Sequence, residues 1–403
     1  MNKKALKLIQ KVAAMTFFTT LIASPQVGAK CDAFSKIKTK FTQIRKKIEN
    51  KSDEIKEKAE NAKDKIESKI KKTPEQKEAD TSKLVTGISE ISDKIGSAIK
   101  IPDDPYAIIK DTSSIDTSFT NKWTGSLKDN AKFCEILFPG THDSGTYSMA
   151  PDHKLNTIAR AAQTQDMDFY NQLKIGVRAF DVRVRDLGDK IVVNHGVVNG
   201  CNVEEVLDSV LKFYFENPSE VVFLVFKNSD VSAVESLVKL PKMKEIMNKS
   251  LTKDVCTKIG KPLSQITVGD MRKEGKNFVL VSNIDNNSFH KTSNFNYKYN
   301  EKTRNSSTDV MVDQELKYLD EYPTDTMRNI SPVHTDLEKE FFQGKASPME
   351  SEYKYGDERN EILLGSNVFH KKANIVSIDA AGKNEQFIKK LIEINRERNL
   401  FKK

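Results

Sequence analysis

Cys134-Glu135-Ile136-Leu137-Phe138-Pro139-Gly140-Thr141-His142-Asp143-Ser144-Gly145-Thr146 is an apolar run of strand length that breaks into a polar turn flanked by glycines. A His-Asp pair in that place is poorly suited to packing. Glycine lets the backbone approach a ligand closely, and an imidazole titrates near neutral pH. The pattern returns at Val193-Asn194-His195-Gly196. Around these two turns, apolar runs at 133–138, 177–184, 191–193, 221–226, 278–281 and 375–378 alternate with segments of helical period at 203–215, 233–247 and 386–398. Strand–helix alternation of this kind predicts an α/β fold, a (β/α)8-like TIM barrel of regular or irregular form, over 121–403. In such barrels the chemistry sits at the C-terminal ends of the strands, where both histidines fall.

Ahead of the barrel the composition changes. Over its 403 residues the chain is 37% hydrophobic and 30% charged, which supports a buried core in one part only. Lys3, Lys4 and Lys7, then the apolar stretch from Val12 to Ala23 and the small residues Val27-Gly28-Ala29, read as a signal peptide over 1–29. The expected location is therefore secreted, extracellular or periplasmic. From 30 to 100 the chain is rich in Lys and Glu. Phe34, Ile37, Phe41, Ile44 and Ile48, and later Leu84, Ile88, Ile91, Ile95 and Ile99, recur at steps of three and four. That spacing predicts a helical or coiled-coil arm for docking on a membrane or an unknown protein partner, or else a solvated stalk. Residues 101–120, with Pro102 and Pro105, read as a linker. The net charge of +8 favours anionic surfaces. No segment reads as a nucleic-acid module, so an anionic membrane is the expected partner. Cys31, Cys134, Cys201 and Cys256 are too few for a disulfide scaffold and lack CxxC spacing, so they read as buried thiols rather than metal ligands.

The second strand, Gly176 to Arg185, alternates apolar residues with Arg178, Asp181, Arg183 and Arg185. Alternate side chains share a face, which puts Asp181, Arg183 and Arg185 together. If that face lines a barrel mouth, Arg183 can clamp an anion. Asn217-Pro218-Ser219-Glu220 is a turn feeding a buried strand that ends in Lys227. Two histidines and an arginine are the minimum for cleaving a phosphodiester, one imidazole as base, the other as acid, the guanidinium holding charge.

These motifs, with Thr164-Gln165, Asp168-Phe169 and Gln172-Leu173 between them, resemble the X-domain of bacterial phosphatidylinositol-specific phospholipases C over about Phe133 to Lys227. The resemblance implies that His142 is the general base on the inositol 2-hydroxyl, His195 the general acid for the diacylglycerol oxygen, and Arg183 the phosphate clamp. It implies that Asp143 assists the phosphate and leaving-group side and that Lys227 lines the inositol pocket. An aspartate late in the barrel orients the base, and Asp379, ending Ile375-Val376-Ser377-Ile378, is its match. The implied product pair is diacylglycerol and a cyclic inositol phosphate, with a phosphatidylinositol-type lipid or a glycosyl-phosphatidylinositol as substrate. No cofactor is expected, and no metal, because Arg183 stands where calcium-dependent relatives keep an acidic ligand.

The headgroup contacts depart from the family. Ser282-Asn283 follow the strand after which the bacterial enzymes place an arginine, and their Asp-x-Tyr pattern is met at best by Asp313-Gln314-Glu315, with Tyr318 nearby. Leu155, Ile158 and Ala159 take the place of apolar rim residues. His153, His290, His334 and His370 read as surface or satisfied core histidines. Two other readings remain. One is a binding protein on a degenerate X-domain, acting through its arm. The other is a metal-dependent glycerophosphodiesterase-type barrel, which needs clustered acidic ligands and is opposed by the arginines of the second strand.

Overall fold

Valine, isoleucine and phenylalanine dominate the short runs that become strands, as residues suited to a pleated, buried surface do. The computed structural model describes residues 107–109, 115–149, 157–196, 198–226, 231–283, 287–297, 307–334 and 348–402. The export segment and the helical arm expected over 1–100 lie outside them, as does most of the linker. The described end of that linker is already packed. Ile109, Ile115 and Phe119 lie against the core, and the Ile109 N–H donates to the Asp166 carbonyl at 2.7 Å.

The strands are β1 (Phe138–Thr141), β2 (Ala179–Asp181), β3 (Val184–Asp186), β4 (Ile191–His195), β5 (Val198–Asn202), β6 (Val222–Phe226), β7 (Phe278–Ser282), β8 (His290–Lys291), β9 (Phe295–Tyr297), β10 (Met327–Ile330) and β11 (Ile375–Ile378). Eight of them form one parallel sheet in the order β8-β7-β6-β2-β1-β11-β10-β9, curled as a half-barrel. Neighbours therefore follow chain order from β1 outward in both directions. Among the described residues no ladder joins β8 to β9, so the expected barrel is open along that seam.

Three expected elements change shape. The run 133–138 begins as a 3-10 turn, Phe133–Glu135, and only Phe138 enters β1. The run 177–184 is divided. The Val182 N–H still donates to Val225 of β6 at 2.8 Å, but the next carbonyl, of Arg183, accepts from Asn194 at 2.9 Å. The chain leaves the parallel sheet there and enters a separate antiparallel ribbon, β3-β4-β5. The helix expected at 233–247 is two helices, because Pro241 starts the second at a position where its missing N–H is harmless.

The helices around the sheet are α1 (Thr157–Ala162), α2 (Phe169–Lys174), α3 (Val203–Glu216), α4 (Val231–Leu237), α5 (Pro241–Asn248), α6 (Lys253–Ile259), α7 (Val268–Lys273), α8 (Thr308–Glu321), α9 (Pro348–Leu364), α10 (Asn367–Lys372) and α11 (Glu385–Glu397). Helix α3 illustrates their logic. Asn202 accepts from the Glu204 N–H at 3.0 Å and Glu205 reaches back to the Asn202 N–H at 3.3 Å, a reciprocal cap. Val203, Val206, Leu207, Val210 and Leu211 then form the buried stripe. Among the described residues no helix is long and apolar enough to cross a membrane.

His290 of β8 is buried, and its Nε2–H donates to the Leu251 carbonyl at 2.9 Å. Burial, with Lys253 nearby, lowers its pKa from the ordinary 6.5. The folded state thus keeps a neutral ring that the unfolded chain protonates more readily. This contribution to stability is present above pH 6.5 and is lost as the pH falls below it. His290→Gln should flatten the fall of Tm between about pH 6.5 and 5 in a thermal-melt series; an unchanged slope would contradict this account.

Candidate active site

β1 and β11 are parallel neighbours in register from Phe138 with Ile375 to Thr141 with Ile378. The residues that follow them, His142 and Asp379, therefore stand side by side at the strands' C-terminal ends. Asp379 Oδ1 lies 3.0 Å from His142 Nδ1, and both side chains are nearly fully buried. The Gln165 amide fastens the two ends together. Its Nε2 donates to the carbonyls of His142 (2.8 Å) and Ile378 (3.0 Å), and its Oε1 accepts from the Ala381 N–H at 3.2 Å. A carboxylate on Nδ1 fixes the proton there and leaves Nε2 as the basic nitrogen. Arg183 Nη2, 3.5 Å from Nε2, suits an unprotonated nitrogen.

His195 ends β4 in the antiparallel ribbon. Its Nδ1 donates to the Ala162 carbonyl at 2.8 Å, which turns Nε2 toward Asp143 at 3.5 Å. The same carboxylate oxygen, Oδ2, lies 3.4 Å from His142 Nε2. The Nε2 atoms of both histidines thus converge on one oxygen. Asp143 holds a positive φ of 45°, rare for a residue with a side chain and typical of functional turns. Its other oxygen meets Arg183 Nε at 2.5 Å, and Arg183 Nη2 is 3.7 Å from Asp181.

His142, Asp143 and Asp181 also form a donor set whose atoms lie within 4.8 Å of one another, close enough to consider a cation. The guanidinium of Arg183 already lies between both carboxylates. A divalent ion would have to displace that fixed positive charge, so the set fits a guanidinium better than a metal.

Of the residues expected at the site, His142, Asp143, Arg183, His195 and Asp379 are brought together. Lys227 and Leu155 lie outside the described residues, as do the side chains of Ile158 and Ala159. Asp313 is corrected. It lies on the exposed face of α8 rather than at a strand end, because Val312, Leu316 and Leu319 give that segment a helical stripe that packs inward. Arg178, at the base of β2, is fully buried and paired with Glu220, away from the site. His370 bonds Glu397 and the Leu364 carbonyl at 2.8 Å each, and His334 packs on Tyr355. Gln165 and the Ala162 carbonyl escaped the sequence reading. The Thr164-Gln165 pair was visible, but a side-chain bridge to residues 23 and 213 positions away has no local signature.

The family model described as "Phosphatidylinositol-specific phospholipase C, X domain" matches residues 138–273. Residues 138–273 thus form an X domain of that family. A 1-phosphatidylinositol phosphodiesterase of Listeria monocytogenes is 30% identical over 114 residues, which is 28% of this chain and 34% of that one. The protein of the same description from Staphylococcus aureus (strain Newman) is 34% identical over 107 residues, 26% of this chain and 33% of its own. The aligned X-domain segment spans about a third of the length of these curated relatives. The solved phosphatidylinositol-specific phospholipase C of Listeria monocytogenes superposes with a TM-score of 0.50 at 21% identity, over 68% of this chain and 98% of that one, a likeness of fold.

Proposed function

We propose that this X-domain protein is an exported, metal-independent phosphodiesterase that cleaves phosphatidylinositol, or a glycosyl-phosphatidylinositol, at an anionic membrane surface. The single observation that carries the reading is the convergence of His142 Nε2 and His195 Nε2 on Asp143 Oδ2, at 3.4 and 3.5 Å, beside the Arg183 guanidinium. In the proposed reaction His142 Nε2 takes the proton of the headgroup's 2-hydroxyl as that oxygen attacks phosphorus. The bond from phosphorus to the diacylglycerol oxygen breaks, and His195 Nε2–H protonates the departing oxygen. Cyclic inositol phosphate and diacylglycerol leave, and solvent returns the proton to His195 and removes it from His142. Arg183 offsets the charge that builds on the phosphoryl oxygens, and Asp379 stabilises the His142 imidazolium. The basic n-region and apolar run at the N-terminus support export, and the net charge of +8 supports contact with anionic lipid.

Purified protein mixed with phosphatidylinositol vesicles in excess EDTA should release cyclic inositol phosphate, followed by phosphorus NMR, at a rate within about two-fold of that with added calcium. A strict calcium requirement would reject the guanidinium mechanism. Cleavage of other headgroups but no inositol lipid would reject the substrate.

A further inference from the structure

A helix that packs on a sheet normally buries an apolar stripe. Helix α9 departs from this. Its buried residues are Ser351, Glu352, Gly356, Arg359 and Asn360, beside Pro348, Met349 and Leu363. The side chains of Glu352 and Arg359 are 1% and 0% exposed, and Glu352 accepts from Arg359 Nη1 at 2.5 Å and from Nη2 at 2.7 Å. Gly356 makes room for them, because a β-carbon there would come within 2.5 Å of Glu352 Oε1. A glycine inside a helix and a buried ion pair are both costly compared with apolar packing. Both costs fall at one spot, a single residue removed from the turn that carries Asp379.

That residue is Asn384, itself buried. Its Nδ2 donates to Glu352 Oε1 at 2.6 Å and to the carbonyls of Asp379 (3.0 Å) and Ala380 (3.1 Å). Three oxygens around one nitrogen suit an amide NH2, which has two protons to share among them. Its Oδ1 accepts from Asn360 Nδ2 at 2.8 Å, so α9 grips both ends of the amide. The turn needs such a grip. Ala380 has a φ of 45°, a left-handed conformation that a side chain disfavours. On the far side of the turn the Gly382 and Lys383 N–H groups donate to Asp166 at 2.8 and 2.9 Å. The grip from α9 reaches the carbonyl of Asp379 itself, next to the Cα that bears the carboxylate.

We propose that Asn384, anchored by the Glu352–Arg359 pair, is a positioning residue for the cleavage: it clamps the main chain of Asp379 and Ala380 and so holds the Asp379 carboxylate on His142 Nδ1. This rests on the phosphodiesterase reading above. The side chain of Asn384 bonds the turn and α9, so it acts through Asp379. Asp379 Oδ1 stands 3.0 Å from His142 Nδ1, and a drift of the turn by about 1 Å would break that hydrogen bond. The ion pair makes a firm anchor, since parting its members would leave two charges buried and unpaired. Arg359 also neutralises Glu352, so the clamp adds no net negative charge beside Asp379.

The test uses Asn384→Ala in the full chain with phosphatidylinositol vesicles. Its kcat should fall roughly ten- to a hundred-fold, with KM within about two-fold of the parent's. Proton NMR gives a reading independent of turnover. The low-field Nδ1–H signal of His142, identified by its loss in His142→Gln, should be present in the parent and absent from Asn384→Ala. If the folded fraction of the variant keeps either the parent's kcat or that signal, Asn384 is merely structural and the clamp is wrong. Should Asn384→Ala fail to fold, the double variant Glu352→Leu/Arg359→Met takes its place. It removes the anchor without stranding a charge, and the same two readings decide in the same way. If the parent cleaves no inositol lipid, the reaction is wrong, and the signal alone then decides the clamp. Its loss in the variant upholds the clamp, and its persistence overturns it. A parent that lacks the signal has no dyad to hold, which overturns the clamp in either case.

Discussion

His142→Ala should lower kcat on phosphatidylinositol vesicles by roughly a thousand-fold or more, the range for removing a general base. His195→Ala should fall into the same range, and the double variant should be little worse than either, because the two imidazoles act in one proton relay. His142→Ala strips Asp379 of its 3.0 Å partner in a buried place, so His142→Gln serves as a control that keeps a hydrogen-bonding group there. Both should be inactive while Gln melts closer to the parent. Retention of the protein's biological effect in variants that no longer cleave lipid would shift the reading to a binding protein on a degenerate X domain. Asp379→Asn sharpens the assignment. An amide oxygen still meets Nδ1, but it carries no charge for the imidazolium, so kcat should fall with KM nearly constant.

Glu220→Ala should have the largest effect on stability. Glu220 accepts from the Thr124 N–H (3.1 Å) and Oγ1 (2.7 Å), the Gly125 N–H (2.7 Å), and Arg178 Nε (3.0 Å) and Nη2 (2.7 Å). Arg178 spends its remaining donors on the carbonyls of Leu173, Val177 and Thr120, beneath the rings of Phe213 and Trp123. Removing the carboxylate leaves a buried guanidinium uncompensated, which costs about 3–5 kcal/mol. For a domain of this size that corresponds to a Tm lower by about 10 °C. Arg178 and Glu220 precede β2 and β6, at the end of the sheet opposite the histidines. The folded fraction of Glu220→Ala should therefore keep the parent's KM and kcat. A Tm drop under about 2 °C would mean that the pair is replaceable by packing, as some buried pairs are.

The site was more legible in the sequence than the sheet was. Each of His142, His195 and Asp379 ends an apolar run, and a polar residue in a glycine-bordered turn has few packing explanations. Helix α3 and strand β11 were readable because their periods persist over several residues. β8, β9 and β10 were not. Two to four residues give too few alternations for a period, and Arg328 and Asn329 inside β10 do not look like a buried strand. Arg328 is nonetheless buried, with its guanidinium spread over the carbonyls of Lys372, Pro323, Thr326 and Cys134. The division at Arg183 was hidden for a different reason. The residues on both sides have the same strand propensity, and only the partner strand changes. At Asp313 the short Asp-x-x spacing competes with the helical stripe of Val312, Leu316 and Leu319, and the stripe decides the local structure.

One consequence of the β1–β11 pairing concerns time rather than geometry. The His142 base and its Asp379 partner are 237 positions apart in the chain, joined by the first strand of the sheet and the last. A contact so distant in sequence forms late and slowly, because its loop closure must precede any gain. A nascent or truncated polypeptide that lacks β11 would hold both histidines and the arginine yet have no dyad. Under the proposed function, the base and its carboxylate would be paired only once β11 docks beside β1, however early the histidines themselves are made.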